Sequence, residues 1–265
     1  MKVIDAHAHI FPQKIAERAV SSIGSFYGIP MDDDGTADVL LREMRTANVS
    51  QSLVCSVATK PEQVTSINTF LAEEAKRHPE FVPFAAMHPL MEDPEAEFER
   101  ILKAGFYGIK LHPDYQDMYF DNIRYERIID AASELGLITV VHAGVDPKCP
   151  EDVHCTPKMA RKVLDDVKPE KLVLAHMGGN EMWDDVERYL VGQNVYFDTG
   201  VILNTMPQEQ FLRIVHMHGA DRILFGTDSP WADQKNFVAL LEHMPLTEEE
   251  KAAIFSENAK KLLGI

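Results

Sequence analysis

Two histidines, His7 and His9, stand two residues apart in the run Val3-Ile-Asp-Ala-His-Ala-His9 near the start of the chain. On a strand that spacing turns both imidazoles to one face. Ile4, Ala6 and Ala8 then point the other way, toward helices, and the imidazoles are expected to face the interior of a sheet. A third imidazole, His142, closes the β-branched run Ile138-Thr-Val-Val-His142. Asp228, in Phe225-Gly-Thr-Asp-Ser-Pro230, could ligate a cation, accept a proton from water or cap a turn. Together these residues make a nitrogen and oxygen donor set suited to one divalent ion, zinc by expectation, with a position left open for water. Such an ion acidifies water and polarises carbonyl groups, the chemistry that cleaves amides, lactones and esters.

Lys110 and His112, in Gly108-Ile-Lys-Leu-His-Pro113, share a face by the same alternation. An inward lysine must lose its charge, meet an internal acid such as Asp5, or hold a substrate anion. Just beyond lie Tyr115 and Gln116, which with Trp231 are candidate walls of a substrate pocket. Cys149, His154 and Cys155 have the wrong spacing for a zinc ribbon and read as an ordinary long loop.

These residues require strands that end at one rim. Apolar, β-branched runs occur at residues 2–9, 50–57, 81–87, 107–112, 138–142, 171–176, 195–198 and 222–227, each followed by an amphipathic segment. The helical segments are residues 36–47, 62–77, 94–104, 125–134, 157–167, 180–190, 207–218 and 235–243, and a ninth over 247–263 opens with the capping box Thr247-Glu-Glu-Glu250. Eight βα units in 265 residues predict an α/β fold, a single-domain (β/α)8 TIM barrel spanning residues 1–265 with an extra C-terminal helix. His7, His9, Lys110, His112, His142, His176 and Asp228 all fall at the C-terminal ends of strands, the rim where such barrels build active sites. The stretch from Phe11 to Gly35, with Gly24, Gly28 and Pro30, is the expected pocket-covering loop.

Composition narrows the classes. With 42 acidic against 26 basic residues, the net charge of −16 argues against nucleic acid and anionic membrane surfaces as partners. Three cysteines without a CxxC pair suit reduced thiols and a cytoplasmic protein. No apolar run is long enough to span a bilayer, and Met1–Ile10 lacks the apolar core of a signal peptide. A small-molecule substrate is the expected partner, and homo-oligomer formation stays open.

The combination of His7-Ala-His9, His142, His176 in Ala175-His-Met-Gly178 and Asp228 in Gly226-Thr-Asp-Ser-Pro-Trp231 resembles the amidohydrolase superfamily, in its amidohydrolase-related (ACMSD-like) branch, over nearly the whole chain. That branch contains hydrolases, lactonases and non-oxidative decarboxylases. The resemblance implies one zinc held by His7, His9, His142 and Asp228, with Asp228 also catalytic and His176 polarising substrate or moving a proton. In two-metal members a carboxylated fourth-strand lysine, here Lys110, would bridge the ions. Hydrolysis through an activated water is the first expectation, because no cluster of arginines marks the rim. A carboxy-lyase is second and a non-catalytic metal-binding barrel third.

Overall fold

The computed structural model describes residues 2–27 and 35–265. All eight predicted strands form: β1 Val3–His9, β2 Val49–Cys55, β3 Phe81–Ala86, β4 Gly108–Leu111, β5 Ile138–Val141, β6 Leu172–Leu174, β7 Tyr196–Asp198 and β8 Ile223–Leu224. They line up in chain order, each parallel to the next. Backbone bonds from Ala6 N to Phe225 O, Asp228 N to His7 O and His9 N to Ser229 O join β1 to the segment after β8 and bring the ends of the sheet together. Most strands are shorter than the apolar runs that predict them. Their last residues leave the ladder to present side chains at the rim, and His142 and His176 both lie just outside their strands.

β1 does not alternate throughout. Its pairing with β2 shifts register between Val3 and Ile4 and again between Asp5 and Ala8. Ile4 and Ala6 consequently join the barrel-interior cluster of Leu53, Cys55, Val82, Phe84, Ile138 and Leu224, rather than facing the helices as simple alternation predicts. Ala8 does pack in the outer layer. Asp5 turns outward, where it accepts hydrogen bonds from His7 N, Thr227 N, Thr227 Oγ1 and Gln234 Nε2. An irregularity of this kind reverses which face a strand presents, and here it lets His7 and His9 face inward while Asp5 does not.

Among the described residues, twelve α-helices surround the sheet: α1 Ala16–Tyr27, α2 Ala37–Ala47, α3 Val64–Arg77, α4 Pro94–Ala104, α5 Pro113–Gln116, α6 Ile123–Glu134, α7 Pro157–Val167, α8 Trp183–Tyr189, α9 Gln208–His218, α10 Gln234–Glu242, α11 Glu248–Ala252 and α12 Asn258–Leu263. Side chains of Asp93, Asn122, Thr156, Asp233 and Thr247 accept from the first turns of α4, α6, α7, α10 and α11, relieving amides that have no partner within the helix. The stretch expected to be a covering loop contains α1, and its residues 28–34 lie outside the described residues. The predicted C-terminal helix is interrupted by a π-helical turn, Ala253–Glu257, where Phe225 N takes the carbonyl of Ile254. The helix expected from Asn180 starts only at Trp183, because Asn180 is spent bridging Ala143 and Val145. Among the described residues no helix is long and apolar enough to cross a membrane.

Candidate active site

At the C-terminal rim the predicted donors converge in two groups. In the first, Asp228 Oδ1 lies 2.9 Å from His9 Nε2 and 3.3 Å from His7 Nε2. The other ring nitrogen of His7, Nδ1, is 3.1 Å from Asp198 Oδ2, and a carboxylate can only accept, so Nδ1 carries the proton. That leaves a lone pair on His7 Nε2, and Lys110 Nζ sits 2.9 Å from it. Asp198 Oδ1 also accepts from His176 N and Gly200 N.

The second group centres on His142. His176 Nδ1 is 2.9 Å from the Gly200 carbonyl and must donate to it, which turns a lone pair on Nε2 toward His142 Nδ1, 3.0 Å away. The His142 ring lies flat on His112 at 4.1 Å between centroids, and His112 lies flat on Tyr115 at 4.0 Å. On its far side His142 Nε2 is buried without a hydrogen-bond partner, as are Asp114 Oδ2 and Asp146 Oδ2, which lie 3.8 and 3.7 Å from it.

Burial dominates the electrostatics. It lowers the His9 imidazole to about 4 even against the pull of Asp228. Burial, and then the nearby positive charges, hold His112 and His142 well below the usual histidine range, and burial also lowers His176. Burial would raise Asp228 and Asp198, but the combined pull of the groups around each outweighs it, His7, His9 and His176 for Asp228, and His7, His176 and Lys110 for Asp198. Asp228 is thus held well below the ordinary carboxylate range, and Asp198 at about 2. Neutral imidazoles beside ionised carboxylates are the protonation states that bind a divalent ion. The lone pairs on His7 Nε2 and His176 Nε2 have fixed directions, and the unpartnered His142 Nε2 borders two carboxylates. This donor set fits such an ion.

His7, His9 and Asp228 offer ligand atoms within 4.8 Å of one another, whereas His142 groups at that distance with His112 and Asp146. It meets the first group through His176. Lys110 does not pair with Asp5, because the register shift in β1 sends Asp5 to the helix layer, and its ammonium meets His7 instead. Tyr115 and Trp231 line the cavity, but Gln116 does not. Its amide is buried, with Nε2 donating to the carbonyls of Ala58 and Met87 and Oε1 accepting from His112 N and Tyr125 Oη. The loop holding Cys149 and His154 is less ordinary than its spacing suggests, since Cys149 Sγ and His154 Nδ1 both reach Asp114 Oδ1, at 3.4 and 3.2 Å. Cys155 is core.

Asp198, Asp146 and Asp114 escape a reading of the sequence. Asp198 ends β7 as the other rim residues end their strands, and that position was the available signal. Backbone geometry marks the site as well: His176 and Asp228 have φ of 60° and 67°, left-handed conformations that cost a non-glycine residue about 1–3 kcal/mol. The donors open into a cavity of about 500 Å3, whose walls include Phe11, Ile67, Phe70 and Trp231.

Fold and rim together define a metal-dependent barrel enzyme. The chain belongs to the amidohydrolase family: the family model described as Amidohydrolase matches residues 4–265. The γ-resorcylate decarboxylase of Polaromonas sp. (strain JS666 / ATCC BAA-500) is 25% identical over 285 residues, an alignment covering 89% of this chain and 85% of that protein. Among solved structures, an uncharacterised TIM-barrel protein from Bordetella bronchiseptica aligns with a TM-score of 0.81 at 20% identity, over 100% of this chain and 99% of that one. A dihydroxybenzoic acid decarboxylase from Polaromonas sp. JS666, with manganese and 2-nitroresorcinol bound, aligns with a TM-score of 0.73 at 18% identity, over 99% and 97% of the chains. At these identities the structural likenesses speak for the fold.

Proposed function

We propose that this protein is a metal-dependent, non-oxidative decarboxylase of an aryl carboxylate, with its ion held by His7, His9, His142 and Asp228. The observation that carries the reading is the likeness to the γ-resorcylate decarboxylase, which covers 89% of the chain. The site's chemistry is compatible with it. Lys110, buried to 1% exposure, is the only lysine or arginine among the described residues lining the cavity. One cation is enough to hold one carboxylate, so the lack of an arginine cluster does not weigh against this reaction. The ion, when bound, supplies positive charge that orients the substrate; manganese in the dihydroxybenzoic acid decarboxylase makes it a candidate here beside zinc.

In the proposed reaction a proton is added to the ring carbon that bears the carboxylate. The carbon–carbon bond then breaks, its electron pair stays with the ring, and carbon dioxide leaves. Asp228, ionised at rest beside its histidines, takes up a proton from solvent and passes it to that carbon. His176 Nε2, which faces His142 Nδ1 at 3.0 Å, orients a substrate hydroxyl by exchanging that contact for it. Tyr115 and Trp231 flank the ring, and Trp231 Nε1, buried without a partner, is a donor available to a ring substituent.

The deciding experiment incubates protein reconstituted with manganese or zinc with a panel of hydroxybenzoates in ¹⁸O-labelled water. Stoichiometric carbon dioxide with no label in the aromatic product is expected. Labelled product carboxylate without carbon dioxide, from an ester or lactone panel run in parallel, would establish hydrolysis instead.

A further inference from the structure

The cavity has two chemically different ends. Its floor holds His7, Lys110, His142, His176 and Asp228, and between floor and mouth Trp231 stands edge-on to His9 and Phe11, with centroids 5.1 and 6.3 Å away. The outer end is walled by Phe11, Ile15, Ala19, Val57, Ile67 and Phe70. Three separate stretches supply it: the segment leading into α1 with its first turn, the segment after β2, and the face of α3 on which Ile67 and Phe70 stand three residues apart. Ile15 is 51% exposed, an apolar side chain left at the mouth.

Several polar atoms at this end are already engaged. Gln63 Oε1 accepts from Thr59 N, Thr59 Oγ1 and Lys60 N, and Ser66 Oγ donates to the Gln63 carbonyl. Size also argues for more than one ring. An apolar cavity of ~150 Å3 holds a benzene ring, whereas this one measures about 500 Å3. A single polyhydroxylated ring bound at the floor would leave the apolar walls of the outer end facing water.

We infer that the outer end is a second, apolar subsite, and that the substrate is an aryl carboxylate extended by a second apolar group, such as another ring. This rests on the carboxylate reading above for the head group alone. The carboxylate goes to Lys110 and the donor cluster, the first ring lies beside Trp231 and Tyr115, and the extension lies between Ile15 and Ala19 on one side and Ile67 and Phe70 on the other.

The test measures binding by calorimetry to metal-reconstituted protein, using benzoate, 4-phenylbenzoate, benzyl alcohol and 4-phenylbenzyl alcohol. Burial of the added ring is expected to tighten binding at least about tenfold within each pair. Ala19→Trp, which fills the subsite, and Ile67→Asp, which charges it, should each remove that gain while leaving benzoate affinity and metal content within about twofold. Equal affinity for the one-ring and two-ring members in both pairs overturns the inference, as does a gain that survives both variants. If the acids bind no better than the alcohols, the carboxylate reading fails, and the ring gain within the alcohol pair still decides the subsite.

Discussion

Asp198 holds the Nδ1 proton of His7 at 3.1 Å, and by doing so it decides which nitrogen of that ring faces the cavity. The same carboxylate takes the backbone amides of His176 and Gly200, so one buried acid orients both a ligand candidate and the neighbouring base. Carboxylates placed behind a ligating histidine raise metal affinity by fixing its tautomer. Asp198→Asn, which preserves shape and removes charge, should lower metal affinity by roughly 10- to 100-fold. Competition with a chromophoric chelator reads this directly, and unchanged affinity would mean that Asp198 serves only the loop after β7.

Alanine substitution of His7, His9, His142 or Asp228 should reduce the metal content of the purified protein. His243→Ala is the control, because that side chain is exposed and bonds only its own helix at Ala239. Elemental analysis separates the two classes. Full occupancy in the His7→Ala, His9→Ala double variant would falsify the site assignment.

His176→Asn should keep the metal and slow turnover by roughly 10²- to 10⁴-fold, the usual effect of losing an acid–base group. Unchanged turnover would reduce His176 to a structural link between Gly200 and His142. Loss of the metal with the activity would make it a ligand.

His218 offers a pH signature far from the rim. It is stacked on Phe197 at 4.2 Å, donates from Nε2 to the Val195 carbonyl and accepts the Gly192 amide at Nδ1, so a second proton would break the last bond. Burial lowers its pKa below the ordinary 6.5. The unfolded chain therefore takes up a proton that the folded chain refuses, and stability is full above that value and falls as pH drops below it. Between about pH 7.5 and about pH 5.5 the loss of unfolding free energy should be smaller in His218→Gln than in the parent protein. Parallel urea-midpoint curves would contradict this.

Gly144 lies two residues past His142 with φ of 86°, and a side chain there would collide with the backbone of Asn180. Gly144→Ala should cost at least about 1–2 kcal/mol from its left-handed backbone alone, with a further penalty from the collision. Differential scanning calorimetry should show Tm lowered by roughly 2–4 °C per kcal/mol, and metal content should fall as His142 shifts. An unchanged Tm would show that the loop yields freely.

The sequence made the barrel and its rim legible because eight β-branched runs each end near a polar or ionisable residue, and alternation places such residues on definite faces. Alternation failed at β1, where no glycine or proline signals the register shift that moves Asp5 outward. Asp198 was missed because its partner, His7, lies 191 positions away and nothing local in Tyr196-Phe-Asp-Thr-Gly200 distinguishes a buried acceptor from a strand-end turn residue. Asp114 and Asp146 matter only through the way the short α5 turn and the segment after β5 fold against His142, and such packing leaves no periodic trace. α1 was hidden by Gly24, Gly28 and Pro30, which read as breakers although the helix runs through the first of them.

The outward turn of Asp5 has a mechanical consequence. Its four hydrogen bonds reach His7, Thr227 and Gln234, so a single carboxylate pins the first strand to the turn that carries Asp228 and to the helix beyond it. The strand of His7 and His9 and the turn of Asp228 are thereby tied together through one buried acid. Their approach is secured by the folding of the barrel, and little of the ion's binding energy goes into gathering them. An ion arriving at the proposed site would meet donors that are already assembled.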